Sequence, residues 1–343
     1  MRKNNLAPVI ICTLVFIIAG CKKHAENVQP PSSNETLQSV APFHIGAAID
    51  PNLLQTNLSY RNIITGELNS ITTENALKWP SVHPQQNTFD FSGGDVLVNF
   101  ALQNKKRIHG HNLLWYAFNP DWLNNFIGDS AAWENLLKTH IQTVISHYKG
   151  KITSWDVVNE AFHEDGILRV EDVDHSDHFD DGCIWARHLG TDYIARSFQY
   201  AHEADPDALL FYNEYGQEWS EPKLNAVINL ANDFIARSIP IHGLGIQMHI
   251  DINSANDGIT NAIQQLANTG LQIHISELDI RVNTNNNPLL TYTDALKTTQ
   301  SDKYDFVVRQ YKSLVPKAQQ YGITTWNVGD ADSWIRSYFN KND

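Results

Sequence analysis

Cysteine is scarce in this chain. Three occur in 343 residues, and two of them, Cys12 and Cys21, fall within the first 21 positions. A stabilising disulfide framework is therefore excluded, and Cys183 reads as a small buried apolar residue. Positive charge is also in short supply, with 25 Lys and Arg against 38 Asp and Glu and a net charge of −13. Phosphate recognition needs clustered cations, so nucleic acid is excluded as a partner. Internal repeats and low-complexity stretches are absent from the main body of the sequence. Aromatic rings, by contrast, are abundant, with nine Trp and twelve Tyr. Most belong in a core, but flat aromatic faces also line clefts that bind carbohydrate.

The longest apolar run lies near the N-terminus, from Leu6 to Ile18, behind Arg2 and Lys3. It is short for a bilayer span and has the flanks of an export signal. Ile18-Ala19-Gly20-Cys21 closes it. This segment resembles a bacterial lipoprotein signal, which implies removal of residues 1–20, lipidation at Cys21 and export to a membrane surface. A plain signal peptide with an incidental cysteine is the alternative. Residues 21–41 are rich in Asn, Gln, Ser, Pro and Glu and read as a flexible tether. Residues 42–343 remain as one catalytic-sized domain.

In that domain short apolar runs alternate with amphipathic stretches. The runs are Phe43–Ile49, Ser70–Thr73, Arg107–Leu113, Ile152–Val158, Leu209–Tyr212, Gly243–Met248, Leu271–Leu278 and Ile323–Trp326. Helical patterns over Trp133–Tyr148, Tyr193–Glu203 and Pro222–Arg237 lie between some of them. Such alternation predicts parallel strands with helical crossovers, in a closed barrel or an open doubly wound sheet. The chain reaches Asp343 soon after the eighth run, so the last helix is expected to be missing or truncated.

Polar residues gather where these strands end. They are Glu74-Asn75, His109 and His111, Asn159-Glu160, Asn213-Glu214, Gln247 and His249, Glu277 and Asp279, and Trp326 to Asp330. The C-terminal rim is where α/β barrels carry their chemistry. Asn159-Glu160 closes one strand and Glu277-Leu278-Asp279 another. A glycosidase needs two such carboxyl groups, one to protonate the leaving oxygen and one to stay ionised. Glu277 and Asp279, two apart, share one side of a strand, and His249 is placed to sit between them. A hydrogen bond from His249 would favour the charged form of Glu277.

Two segments carry a specific likeness. Trp155-Asp156-Val157-Val158-Asn159-Glu160 and Ser276-Glu277-Leu278-Asp279 are similar to the two signature motifs of glycoside hydrolase family 10. The likeness spans roughly Phe43 to Trp334. It implies a (β/α)8 TIM barrel, retaining endo-β-1,4-xylanase activity on xylan or xylo-oligosaccharides, and no cofactor or metal. It implies Glu160 as acid/base and Glu277 as nucleophile, supported by His249 and Asp279, with carboxyl groups about 5–5.5 Å apart. By the same likeness, Glu74, Asn75 and Lys78 would hold the sugar on the non-reducing side. His111, Trp115, Asn159, Gln247, His249, Trp326 and Trp334 would line the remaining subsites, with Asn159 on the 2-hydroxyl. Tyr116, Glu214, Asn327 and Gly329 depart from the family pattern.

Three other readings stay open on sequence. The His109-Gly110-His111 spacing, with His249 and Asp330, or the His175–His178 cluster, could hold a metal. The chain could bind glycan without cutting it. It could also act on β-1,4-glucans. Oligomeric state is open.

Overall fold

The computed structural model describes residues 35–171 and 182–339, and the folded unit begins at Thr36. Its strands are β1 (Ile45–Ala48), β2 (Ser70–Thr72), β3 (Arg107–Gly110), β4 (Leu114–Trp115) and β5 (Ser154–Asn159). They continue as β6 (Leu209–Glu214), β7 (Gly243–Ile246), β8 (His249–Asp251), β9 (Gln272–Arg281) and β10 (Gln320–Thr325). All pair in parallel, and β10 bonds both β1 and β9, which closes the sheet. The ring runs β10-β1-β2-β3-β5-β6-β7-β9, with β4 and β8 as short extensions against β5 and β9. This is a closed eight-stranded (β/α)8 barrel, and closure rules out the open-sheet alternative.

The crossover helices follow from their sequences. Trp133, Leu136, Leu137, His140, Ile141, Val144, Ile145 and Tyr148 form a buried stripe along helix Ser130–Tyr148. Their three- and four-residue spacing is the helical period that turns one face to the barrel. Asp129 starts this helix by accepting from the Ala132 amide at 2.9 Å. After β10 the described residues hold one short helix, Trp334–Tyr338.

The expected tether over residues 21–41 overlaps folded chain at its end. Leu37–Val40 is a helix whose Leu37 amide donates to Glu67 Oε2 at 2.8 Å. The Gln38 side chain donates to the Gly66 carbonyl at 2.5 Å. Helix Leu58–Glu67 leaves carbonyls without intrahelical donors at its C-terminus, and this segment supplies them. Cys21 and the His175–His178 cluster lie outside the described residues.

The barrel axis is polar and aromatic. Ser154 of β5 meets the Tyr321 hydroxyl of β10 from across the barrel, and His109 Nδ1 lies 2.8 Å from Ser154 Oγ. Arg107 stacks on Tyr321, its guanidinium carbon 3.6 Å from the ring centroid. Above them Asp156 is buried between two imidazoles. His109 Nε2 makes an ion-pair contact with its Oδ1 at 3.0 Å, and His111 Nδ1 reaches its Oδ2 at 2.9 Å. Burial alone would raise the Asp156 carboxyl pKa, but His109 and His111 overcome burial and hold it well below the usual range.

Two irregularities set which residues face the mouth. On β5, Asp156 pairs with Phe211 but Val158 with Tyr212, so one extra residue is absorbed between them. On β9, Ile275 pairs with Ile323 but Leu278 with Thr325, again one residue over. Each bulge shifts the alternation by one position. Asn159 therefore joins Ser154 and Asp156 on the inner side, and Glu277 joins Ser276.

Because the folded pKa of Asp156 is depressed, its contribution to stability is complete above its unfolded value of about 3.9 and is lost as pH falls below it. Replacing Asp156 by Ala strands the paired imidazoles and should cost about 3–5 kcal/mol in urea unfolding at pH 7. The gap between wild type and variant should narrow toward pH 3. A gap that persists undiminished at pH 3 would remove the assigned cause.

Candidate active site

The mouth is built from the ends of β2, β3, β5, β6, β7, β9 and β10 and the short strands β4 and β8. At its centre is Asn213 of β6. Its Nδ2 donates to Asn159 Oδ1 at 2.8 Å and to Glu277 Oε1 at 2.7 Å, while its Oδ1 accepts from Ser276 Oγ at 2.6 Å. The carboxamide reaches across β7 because position 245 is glycine. A Cβ there would lie 2.0 Å from Asn213 Oδ1.

Glu160 lies on one side of this hub. It accepts from Trp115 Nε1 at 2.8 Å, Gln247 Nε2 at 2.7 Å and Asn159 Nδ2 at 3.0 Å. Its backbone is left-handed, at φ +55°, and its amide is tied to the Asn213 carbonyl at 2.9 Å. Such a conformation in a non-glycine residue persists only where its surroundings hold it. Here Tyr212 donates to Glu214 Oε2 at 2.6 Å and its hydroxyl accepts from the Ala161 amide at 3.0 Å. Glu214 also faces Lys223 Nζ at 3.0 Å, both fully buried. Burial raises the Glu214 pKa, and the attraction of Lys223 opposes the rise.

Glu277 lies on the other side. Its Oε2 is 3.2 Å from His249 Nε2, and His249 Nδ1 is 2.8 Å from Asp279 Oδ2. Burial alone would lower the His249 pKa, but the Asp279 carboxylate, then the Asp279 and Glu277 hydrogen bonds, lift it well above the ordinary value. Burial would likewise raise Glu277. The His249 hydrogen bond, with the charges of His111, His249 and Lys78, brings it below the usual carboxylate range instead.

Around these two carboxylates stand the other residues predicted from sequence. Lys78 is buried with its ammonium 5.0 Å from the Trp115 ring centroid and 5.6 Å from that of Trp326. Burial lowers its pKa, against the pull of Glu277, Glu74 and Glu160. Glu74, at φ +38°, accepts from Asn75 Nδ2 at 3.1 Å and Asn327 Nδ2 at 3.4 Å. Trp334 Nε1 donates to Asp279 Oδ2 at 2.8 Å, and its ring centroid lies 5.0 Å from that of His249. Trp326 meets His111 edge to face at 5.1 Å.

The His-x-His pair does not form a metal site. His109 sits inside the barrel and both imidazoles are spent on Asp156, while Asp330 is exposed on the loop after β10. Among the described residues no group of three or more His, Cys, Asp or Glu is arranged to hold a metal ion. Sequence reasoning placed Asn213 and Glu214 at a strand end without a role, and did not reach Lys223, Tyr215 or Arg169. Arg169 lies under Tyr116, 4.0 Å from its ring, and donates to the Tyr215 hydroxyl at 3.2 Å. An amphipathic helix pattern gives no sign that Lys223 points inward.

A parallel (β/α)8 barrel with two differently supported glutamates in its mouth defines the class, a glycoside hydrolase barrel. The chain belongs to glycosyl hydrolase family 10, whose sequence profile it matches over residues 33–343. It is 33% identical to endo-beta-1,4-xylanase Xyn10C of Cellvibrio japonicus over 99% of this chain and 57% of that one. It is 31% identical to endo-1,4-beta-xylanase B of Thermotoga neapolitana, over 95% of this chain and 89% of that one. The chain thus spans little more than half the length of Xyn10C. Among solved structures, a variant of the C. japonicus xylanase 10C in complex with xylopentaose superposes with a TM-score of 0.82 at 31% identity, over 89% of this chain and 63% of that one. Xylanase 10B of Thermotoga petrophila, in complex with xylobiose, gives 0.78 at 31% identity, over 90% of each chain.

If Asp279 is what lifts His249, Asp279→Asn moves the His249 titration to lower pH in imidazole nitrogen NMR spectra. A titration left in place by Asp279→Asn would show that another group protonates this ring.

Proposed function

We propose that this protein is a retaining endo-β-1,4-xylanase acting by double displacement. The observation that carries the reading is the contrast between its two glutamates. Glu277 is held ionised by His249, whereas Glu160 is set opposite it on a fixed, left-handed backbone among neutral donors. In the first step Glu160 gives its proton to the glycosidic oxygen, the bond from that oxygen to the anomeric carbon breaks, and Glu277 attacks the anomeric carbon. In the second step Glu160 takes a proton from water, whose oxygen displaces Glu277 and restores the configuration.

Glu74, Asn75 and Lys78 bind the sugar on the non-reducing side, and Trp326 and Trp334 wall it. Asn159 bonds the 2-hydroxyl, a contact that strengthens in the transition state. His111, Trp115 and Gln247 line the cut itself. Asn213, held by Ser276, positions both Asn159 and Glu277.

Purified residues 22–343 should release reducing sugar from xylan in preference to carboxymethyl cellulose, with retained anomeric configuration in the first product seen by proton NMR. Glu277→Ala should abolish release. Glu160→Ala should lower turnover of xylan roughly 100- to 10,000-fold, and of aryl xylobiosides with good leaving groups far less in the first step. Release from both polymers at equal rates would replace the xylanase by a broad β-1,4-glucanase. Binding of xylan without release would replace it by a glycan-capture protein.

We further propose that residues 1–20 are a signal peptide, that Cys21 carries lipid, and that the tether from Cys21 ends at Glu35. The support is the small-residue run before Cys21 and the start of the folded unit at Thr36. The full chain expressed in a bacterium should then be exported, and should incorporate labelled palmitate and partition into detergent, with Cys21→Ser doing neither. Unchanged labelling of the serine variant would move the anchor elsewhere.

A further inference from the structure

Trp219 is a large ring left in the open, with 51% of its surface exposed. It lies in the turn between β6 and helix Glu221–Ala236, and nothing in the two-step chemistry uses it. Exposed indole surface normally marks a contact site when it is held in place.

This one is held. Gly216 has φ +81°, and a methyl group there would come within 3.1 Å of the indole Cζ2 and 3.2 Å of Cε2. The ring therefore rests against the glycine. The Trp219 and Ser220 amides both donate to the Gly216 carbonyl, at 3.2 and 2.8 Å. The Ser220 hydroxyl then caps the following helix at the Lys223 amide and also donates to the Glu164 carbonyl.

Its neighbour leads to the reacting centre. The Tyr215 ring centroid lies 6.2 Å from that of Trp219. Tyr215 is fixed by Arg169 at its hydroxyl and by Lys223 Nζ, 3.2 Å from its ring centroid. It is also close enough to Glu160 for that carboxylate to act on its phenol. Contacts therefore run from Glu160 through Trp115, Tyr116, Arg169 and Tyr215 to Trp219. In the ring of strands β6 stands four places from β1, directly across the mouth from the β10–β2 flank that carries Lys78, Glu74 and Trp334. A chain that enters over that flank and is cut at Glu160 leaves over β6.

We propose that Trp219 is a sugar platform on the leaving-group side of the cleft, stacking the xylose unit beyond the one against Tyr215, with Gly216 setting the angle of its ring. The proposal rests on the endo-xylanase reading. A pyranose unit offers an apolar C–H face. A pre-oriented indole binds that face without ordering a flexible side chain, so binding loses little to entropy.

The test compares two substrates. For Trp219→Ala, kcat/KM on xylohexaose should fall about fivefold to tenfold, the scale of losing one exposed aromatic anchor. On p-nitrophenyl xylobioside, which ends at the first leaving-group place, it should move less than about twofold. Gly216→Ala, which pushes the ring aside, should reproduce the selective loss, and Trp219→Phe should restore most of it. Equal loss on both substrates, or on neither, would overturn the platform. Inertness of the wild-type protein on every xyloside would instead defeat the endo-xylanase reading. Calorimetric binding of xylohexaose to Glu277→Ala, with and without Trp219→Ala, then decides the platform by itself: an unchanged Kd overturns it.

Discussion

The mouth of this barrel depends on one carboxamide. Asn213 is a single side chain that bonds the residue before one glutamate and the other glutamate directly, at 2.8 and 2.7 Å. Because the ionised Glu277 carboxylate can only accept, the amide nitrogen must face it, and the amide oxygen is left to take the Ser276 hydroxyl. The two carboxyl groups stand on strands separated by two others, and no backbone ladder joins those strands directly. The amide supplies that joint, and it can do so only where β7 narrows to Gly245.

Beneath the joint lie two buried carboxylates with opposite settings. Asp156 is bracketed by two imidazoles and held ionised, while Glu214 is opposed by one lysine and pushed up by burial. Neither needs to touch a sugar to matter. Removing either would leave a buried imidazole pair or a buried ammonium without its partner, a larger loss than the pair itself contributes. Sites of this kind gain rigidity from polar groups that are costly to separate, so the geometry above them is fixed before substrate arrives.

Much of this architecture was legible in the sequence, for a physical reason. Each of the eight predicted runs overlaps a strand, because parallel strands buried on both faces are continuously apolar. Polar residues mark where those strands stop, so the rim residues from Glu74 to Trp334 stood out against apolar neighbours. The metal alternative came from the same rule read too simply. His109 and His111 do share a side, as their spacing requires, but that side faces Asp156. What stayed hidden were the links between strands. Nothing in Leu-Phe-Tyr-Asn-Glu says that Asn213 will bridge Asn159 to Glu277, and Lys223 looks like any helix cation until Glu214 is seen beside it. The bulges left no compositional trace, since Val157 is an ordinary strand residue and the shift on β9 falls on Ser276-Glu277, inside the motif itself.

Those two extra residues divide the labour along each strand. Up to Asp156 on β5, and up to Ile275 on β9, the alternation serves packing. Beyond them it runs in a second phase that serves the cleft. In an unbroken β9, Glu277 would point to the side opposite Ser276, into the helical layer. The strand, its bulge and its carboxylate therefore form one heritable unit. Exchanging core residues below the shift leaves the aim of the glutamate untouched, whereas losing a single codon at the shift would turn it away from the cleft.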